Sequence, residues 1–275
     1  MTPFSYKPAL AFSLPEIAAL FTRSFEGYFV PVQINEVILQ TIIRRDGVDL
    51  AESRVLLKND EPIGLALIAR RGWTSRLAAM GIAKEARHGG VGTWAMNQLI
   101  DEARARGEKE MLLEVIEQNT AGVKLYQKVG FKTVRRLVGF KLENPQIESQ
   151  EEIEEIDIRQ LAQLVTSDGL KDLPWQLSGE TIAQHTPPSH AYRLNNAYCL
   201  ISNPEVEHVV ISSVLVKAVF RGSGQGSALM RAVFSRFPNK VWHVSAILPE
   251  ELSAFFERIG MKREELSQLQ MSLKL

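Results

Sequence analysis

The first half of the chain alternates between two hydrophobic periodicities. Apolar residues recur at helical spacing in residues 15–24 and 34–45. Residues 53–58, 62–70 and 76–83 are instead short, mainly apolar runs, which are typical of strands. The pattern therefore predicts two helices followed by three strands.

A glycine-rich segment, residues 88–92, follows the third predicted strand and opens another helix. The apolar residues of that helix recur at every fourth position, namely Val91, Ala95, Leu99 and Ala103. The other elements predicted for this half are a strand at 111–116, a short helix from Asn119 to Gly130, and one or two closing strands at 131–142.

The second half repeats this order of elements. A strand, a glycine loop, a helix, a strand and a short helix are predicted at 208–217, 221–226, 227–237, 241–247 and 251–260. Three residues of the first loop match three of the second at one constant offset: Arg87, Gly90 and Gly92 with Arg221, Gly224 and Gly226. A repeat of this length indicates two sibling domains rather than a solenoid.

Residues 143–156 are polar and acidic and contain Pro145, as expected of a linker. We therefore predict one domain at 1–144 and a second at 145–275. A chain of 275 residues is also long enough for two domains of ordinary size.

Composition restricts the classes of partner and cofactor. Thirty-two basic residues balance thirty-two acidic ones, so neither nucleic acid nor a membrane surface is expected as a partner. Cys199 is the single cysteine and the five histidines lack ligand spacing, so no metal is expected. The N-terminus resembles no signal peptide, so a cytoplasmic protein is expected. The sequence carries no indication of oligomeric state.

The segment from Arg87 to Thr93 is predicted to bind an anion. Glycines permit positive φ and close approach to backbone N–H groups. The first turn of a helix adds unpaired N–H groups and a positive potential, which together suit a pyrophosphate, with Arg87 at the rim. A dinucleotide fold is a weak alternative, because several residues separate Ile82 from Gly90, and no Gly-Lys-Ser/Thr of a P-loop is present.

These motifs resemble those of the GNAT superfamily of N-acetyltransferases. The run RLAAMGIA followed by Arg-x-x-Gly-x-Gly is similar to the family's acetyl-CoA pyrophosphate motif. Residues 119–131 are similar to its second motif, Asn-x-x-Ala-x-x-Leu-Tyr-x-x-x-Gly-Phe, with Gly122 at the usual alanine. The resemblance implies an α/β (α+β) fold of two GNAT-like domains, each a mixed, centrally splayed sheet flanked by helices.

The resemblance also implies that acetyl-CoA is the acyl donor and that its pantetheine arm lies between the strands at 76–83 and 111–116. An amine would attack the thioester directly. The residues expected at the donor are Met80, Gly81, Ile82, Arg87, His88, Gly89, Gly90, Val91, Gly92, Thr93 and Asn119.

Tyr126 stands where the family has its general acid. A phenol suits this role because it can donate a proton to sulfur. The alternative is a core tyrosine on the inner face of its helix. Glu114 is a candidate base, because a buried carboxylate beside the splayed strands would have a raised pKa. Glu117 and a water-mediated route remain alternatives. A structural role for Glu114 at this position is the other alternative.

The acceptor is expected near residues 24–34, where Glu26 and Tyr28 are candidate contacts. Phe25 and Phe29 of the same segment serve either the pocket or the core. The second copy has Pro249 and Phe256 where Asn119 and Tyr126 stand, so it is predicted to be a degenerate copy that lacks the acid. Whether it binds CoA is left open.

The predicted function is an N-acetyltransferase acting on the primary amine of a small molecule. A protein or peptide N-acetyltransferase, and a non-catalytic CoA-binding regulatory module, remain alternatives, because acceptor specificity lies in loops without a readable code.

Overall fold

The computed structural model describes residues 4–275, and two compact units account for them. The first unit runs to Val134 and also includes Leu269–Leu275, whereas the second unit is Arg135–Gln268. The helices in chain order are α1 (Leu14–Ser24), α2 (Glu36–Asp46), α3 (Val91–Ala105), α4 (Thr120–Lys128), α5 (Ile158–Asp168), α6 (Gly179–Ile182), α7 (Gln225–Arg236) and α8 (Ser253–Arg258).

The strands confirm the mixed α/β architecture. They are β1 (Phe4–Pro8), β2 (Val48–Lys58), β3 (Glu61–Arg71), β4 (Thr74–Ile82), β5 (Glu110–Ile116), β6 (Lys132–Glu143), β7 (Glu154–Ile156), β8 (His190–Leu194), β9 (Ala197–Ile201), β10 (His208–Val216), β11 (Val241–Pro249) and β12 (Lys262–Lys274).

The sheet of the first unit has the order β1, β2, β3, β4, β5 and then the end of β12. Pairing is antiparallel from β1 to β4 and parallel between β4 and β5, so the sheet is mixed. One face of it packs on α3 and α4, where apolar side chains such as Met96, Leu113 and Phe131 form a core.

The second unit repeats this plan. The first half of β12 is followed by β6, β11, β10, β9, β8 and β7, and only the β10–β11 pair is parallel among the pairs with a known register. Its largest core lies around α7 and includes Met230, Phe234 and Trp242.

The two structural units do not coincide with two continuous stretches of sequence, because each unit includes part of a strand from the other half of the chain. Most of β6 belongs to the second unit, and the end of β12 belongs to the first, where Met271 and Leu273 enter the core. The domains at 1–144 and 145–275 remain a prediction about the sequence, and residues 1–3 of the first lie outside the described residues. Within the predicted linker, Glu154–Ile156 pair with β8.

Candidate active site

The glycine loop of the first unit turns sharply into α3. His88 and Gly90 have φ values of +66° and +81°, and Gly90 caps the helix in the left-handed conformation. Residues 88–90 are exposed. The exposed loop therefore leads directly into the first turn of α3, whose backbone N–H groups have no intrahelical partner and favour an anion.

Gly92 lets the start of α3 approach the sheet closely. A Cβ atom at this position would lie 3.1 Å from Leu125 Cδ2 and 3.4 Å from Ile82 Cδ1. The absence of a side chain thus brings the glycine loop next to the end of β4 and to α4.

Strands β4 and β5 separate at the glycine loop. Their parallel pairing extends from Thr74 opposite Glu110 to Leu77 opposite Leu113, and the described residues show no further register pair between them. An irregularity in the β3–β4 pairing lies between Leu77 and Ala79, where a bulge bends the strand. Met80, Gly81 and Ile82 therefore lie in the part of β4 that has diverged from β5.

The guanidinium of Arg87 donates hydrogen bonds to three backbone carbonyl groups. Nε donates to Ile82 O at 2.9 Å, and Nη2 donates to Ser24 O at 3.2 Å and to Glu26 O at 3.0 Å. These contacts tie the end of β4 to the end of α1 and to the loop that follows. Arg87 holds this loop in addition to lying beside the predicted anion site.

Asn119 joins α4 to the α1–α2 loop. Its Oδ1 accepts a hydrogen bond from Gly122 N at 3.0 Å. Burial raises the pKa of the Tyr28 phenol, and a hydrogen bond with the Asn119 side chain opposes part of that rise. A Cβ atom at Gly122 would come within 2.7 Å of Asn119 Nδ2. Glycine at the family's alanine position therefore leaves room for this amide.

Tyr126 is almost completely buried, with 9% of it exposed, and its ring packs against Phe131 with 6.0 Å between centroids. Burial raises the pKa of the Tyr126 phenol well above its usual value, and the Tyr28 side chain adds to the rise. The phenol therefore keeps its proton at neutral pH. Tyr28, Asn119 and Tyr126 come together at one place.

Glu114 is engaged by an ion pair. Its Oε2 lies 2.7 Å from Nη2 of Arg76, whose Nη1 lies 3.7 Å from Asp46 Oδ2. All three side chains are buried. The sequence alone does not predict this partner of Glu114, because nothing in the spacing of the two residues indicates contact. An arginine within a mainly apolar strand was the available signal.

The other predicted acceptor residues differ in burial. Glu26 is exposed, whereas Tyr28 is half-buried. The Phe25 ring packs so closely on β4 that a Cβ atom at Gly81 would lie 2.6 Å from Phe25 Cε2. Phe29 is 52% exposed and stacks edge-on with Tyr28 at 5.3 Å.

Neither a metal cluster nor a membrane-spanning helix is found among the described residues. Residues 4–275 contain no group of three or more His, Cys, Asp or Glu side chains arranged for a metal ion. None of the helices in this part of the chain is both long enough and apolar enough to cross a bilayer.

Both units have a glycine loop beside two diverging parallel strands. Residues 14–131 match the model of the acetyltransferase (GNAT) family. Within its first unit the chain therefore has an acetyltransferase domain of the GNAT type, which is an acyltransferase domain.

Similar proteins extend this finding. N-alpha-acetyltransferase 30 of Schizosaccharomyces pombe is 34% identical over 95 residues, which are 33% of this chain. The match spans 63% of that relative's length. A GCN5-related N-acetyltransferase from Sphaerobacter thermophilus has the same fold, with a TM-score of 0.72 and 17% identity over 99% of this chain and 96% of its own.

A tandem GNAT protein from the clavulanic acid biosynthesis pathway is similar over 98% of both chains, with a TM-score of 0.69 and 14% identity. Because the likeness extends over both units, the whole chain has the tandem GNAT fold.

Proposed function

We propose that the first unit transfers an acetyl group from acetyl-CoA to the primary amine of a small molecule. The observation that carries this proposal is the interaction of Tyr28 with both Asn119 and Tyr126, at a helix, α4, that packs with the end of β4 around Gly92 of the glycine loop. Acetyl-CoA supplies the activated acyl group as a thioester. The residues of the chain then have to hold the donor and orient the acceptor. They also have to accept the proton that the amine loses and donate one to the departing sulfur.

The backbone N–H groups of residues 88–93 are proposed to bind the diphosphate of CoA. Positive φ at His88 and Gly90, and the close approach permitted by Gly92, suit such a ligand. Met80, Gly81 and Ile82 would line the arm of the donor, together with Asn119. Arg87 contributes by holding the α1–α2 loop, since its guanidinium already serves three carbonyl oxygens.

Tyr126 Oη is proposed to supply a proton to the departing sulfur. A phenol is protonated at neutral pH, as a general acid requires. For the proton lost by the amine, Glu114 and Glu117 are the two candidate carboxylates. The ion pair between Glu114 and Arg76 favours Glu117, a half-buried residue directly after β5, as the base or as the anchor of a water that acts as one.

The acceptor is proposed to meet Glu26 and Tyr28 of the α1–α2 loop. Arg87 and Asn119 fix this loop at two points. A fixed loop over the reacting centre favours a small acceptor, and the Glu26 carboxylate would attract an ammonium group.

The test measures the release of free CoA from acetyl-CoA with a panel of polyamines, amino acids, aminoglycosides and amino sugars. Tyr126→Phe should lower kcat by about a hundredfold or more without a matching change in the Kd of acetyl-CoA. Tyr192→Phe, which removes a buried phenol from the second unit, is the matched control and should keep wild-type turnover. Full activity of Tyr126→Phe would refute the assigned acid.

A protein N-terminus is the second candidate acceptor, because the curated relative is an N-alpha-acetyltransferase. Short peptides with free α-amino groups belong in the same panel. Turnover confined to those peptides would exclude the small-molecule proposal and leave the class of reaction unchanged.

A further inference from the structure

The second unit contains a cavity of about 380 Å³ at the position that corresponds to the glycine loop and diverging strands of the first. Its lining comes from β10, β11, the start of α7 and the segment that follows α5. Pockets for small ligands begin at roughly 300 Å³. We call this cavity the second cleft.

The second cleft opens because β10 and β11 diverge as β4 and β5 do. Their parallel pairing is confined to residues 208–210 and 241–243. The β9–β10 pairing has an irregularity between Ile211 and Ser213, which is the counterpart of the irregularity between Leu77 and Ala79. The bulge in each unit thus falls at the same point of the duplicated strand.

One end of the second cleft has the geometry of an anion site. Gly222 and Gly224 have φ values of +82° and +84°, and Gly224 caps α7 in the left-handed conformation, as Gly90 caps α3. Arg221 donates from Nε to Val216 O at 3.2 Å and from Nη2 to Asp168 O, which repeats the contacts of Arg87. Arg258 also lines the cavity and adds a positive charge.

The rest of the lining is mainly apolar. It includes Leu170, Leu173, Leu177, Ile247, Leu252 and Phe255. Leu170 and Phe220 line the cavity although they are 45% and 38% exposed, so the apolar surface continues to the mouth. A cavity with an anion cradle at one end and such walls fits an amphipathic ligand.

The two units differ at the residue that follows α1 and α5. Ser24 and Asp168 end α1 and α5, and each gives its carbonyl to the matching arginine. The next residue is Phe25 in the first unit, whose ring packs on Gly81, but Gly169 in the second. A Cβ atom at Gly169 would lie 2.1 Å from Val165 O, so this position excludes every side chain and has no counterpart of the Phe25 ring.

We propose that the second cleft binds an acyl-CoA whose acyl chain is longer than acetyl, and holds it without transferring the acyl group. The backbone amides at the start of α7 bind the diphosphate, and the apolar walls enclose the acyl chain. Phe256 stands where Tyr126 stands in the first unit and offers no proton. This proposal concerns binding in the second unit and stands independently of the function proposed for the first.

The experiment titrates the full-length protein by calorimetry with CoA, acetyl-CoA, decanoyl-CoA and sodium decanoate below its critical micelle concentration. Each buried methylene group can add about fourfold in affinity. We therefore expect decanoyl-CoA to bind at least tenfold more tightly than acetyl-CoA at one site. Decanoate alone should bind far more weakly, because it lacks the diphosphate.

Ser213→Phe places a ring on the cavity wall and should abolish that site for decanoyl-CoA, while CoA release by the first unit persists. Arg258→Gln should weaken decanoyl-CoA at least fivefold, whereas Arg231→Gln, an exposed arginine of α7 outside the lining, should not. This arginine pair keeps the test decisive if Ser213→Phe fails to fold.

Three results would overturn the proposal. The first is decanoyl-CoA binding no more tightly than acetyl-CoA. The second is binding of decanoyl-CoA that survives both Ser213→Phe and Arg258→Gln, and the third is decanoate binding as tightly as its CoA thioester. None of these results bears on Tyr126, so failure here and failure of the first unit's proposed chemistry are distinguishable.

Discussion

Arg76 and Glu114 form an ion pair inside the first unit, with 2.7 Å between Nη2 and Oε2 and with only 6% and 3% of the two side chains exposed. Buried pairs of this kind contribute little net stability as a pair, but the loss of one member leaves the other charge uncompensated. The pair lies at the last paired residues of β4 and β5, where Leu77 is opposite Leu113. It therefore secures the strands at the point where they begin to diverge.

Glu114→Gln should lower the free energy of unfolding by about 3 kcal/mol, because Arg76 is then left with Asp46 alone at 3.7 Å. Urea unfolding measures the change. Glu154→Gln, which breaks an exposed pair with Arg193, is the control and should cost less than about 1 kcal/mol. A Glu114→Gln protein of wild-type stability that has lost turnover would instead identify Glu114 as the base.

Tyr126 should make the protein less stable at alkaline pH. Burial raises its pKa in the folded state, so in the unfolded chain the phenol ionises first, near pH 10. The stabilisation is complete below that pH and is lost as the pH rises further, by about 1.4 kcal/mol per pH unit. Urea midpoints between pH 9 and pH 11.5 should fall less steeply for Tyr126→Phe. An unchanged slope would mean that the phenol titrates normally.

Arg87 should affect the acceptor more than the donor. Arg87→Ala releases the carbonyls of Ser24 and Glu26, and the freed loop should raise the KM for the amine several-fold. The Kd of acetyl-CoA should change less and keep its dependence on salt. A large loss of acetyl-CoA affinity with a shallower salt dependence would show that Arg87 binds the diphosphate directly.

The local elements of the chain could be predicted from its sequence. The helix after Gly90 follows from glycines that permit positive φ and from an apolar residue at every fourth position, so its start was found within a residue. Asn119 marks the start of α4 for the same kind of reason, since its side chain accepts from Gly122 N.

Elements that depend on distant partners were missed. Strand β1 is five residues long and largely exposed, and it exists because it pairs with β2. Helix α5 and strands β8 and β9 lie in a stretch for which no element was predicted. The placement of β12 in both units depends on which strands offer a free edge, and neighbouring residues in the sequence carry no information about that.

The same division applies to the candidate site. The turn at His88 and Gly90 is encoded by residues within the loop itself. The contacts of Arg87 with the α1–α2 loop, of Arg76 with Glu114, and of Tyr28 with Asn119 join residues far apart in the chain. Such contacts follow from the folded backbone, so only the structure could give them.

Gly122→Ala should separate activity from stability. Alanine favours a helix over glycine by about 1 kcal/mol, but its Cβ would lie 2.7 Å from Asn119 Nδ2 and would displace the amide that reaches Tyr28. The melting temperature should thus change little, while kcat/KM falls about tenfold, as in Asn119→Ala. Thr120→Ala, at an exposed position one residue after the cap, is the control. Wild-type kcat/KM in Gly122→Ala would show that the link between Asn119 and Tyr28 has no part in turnover.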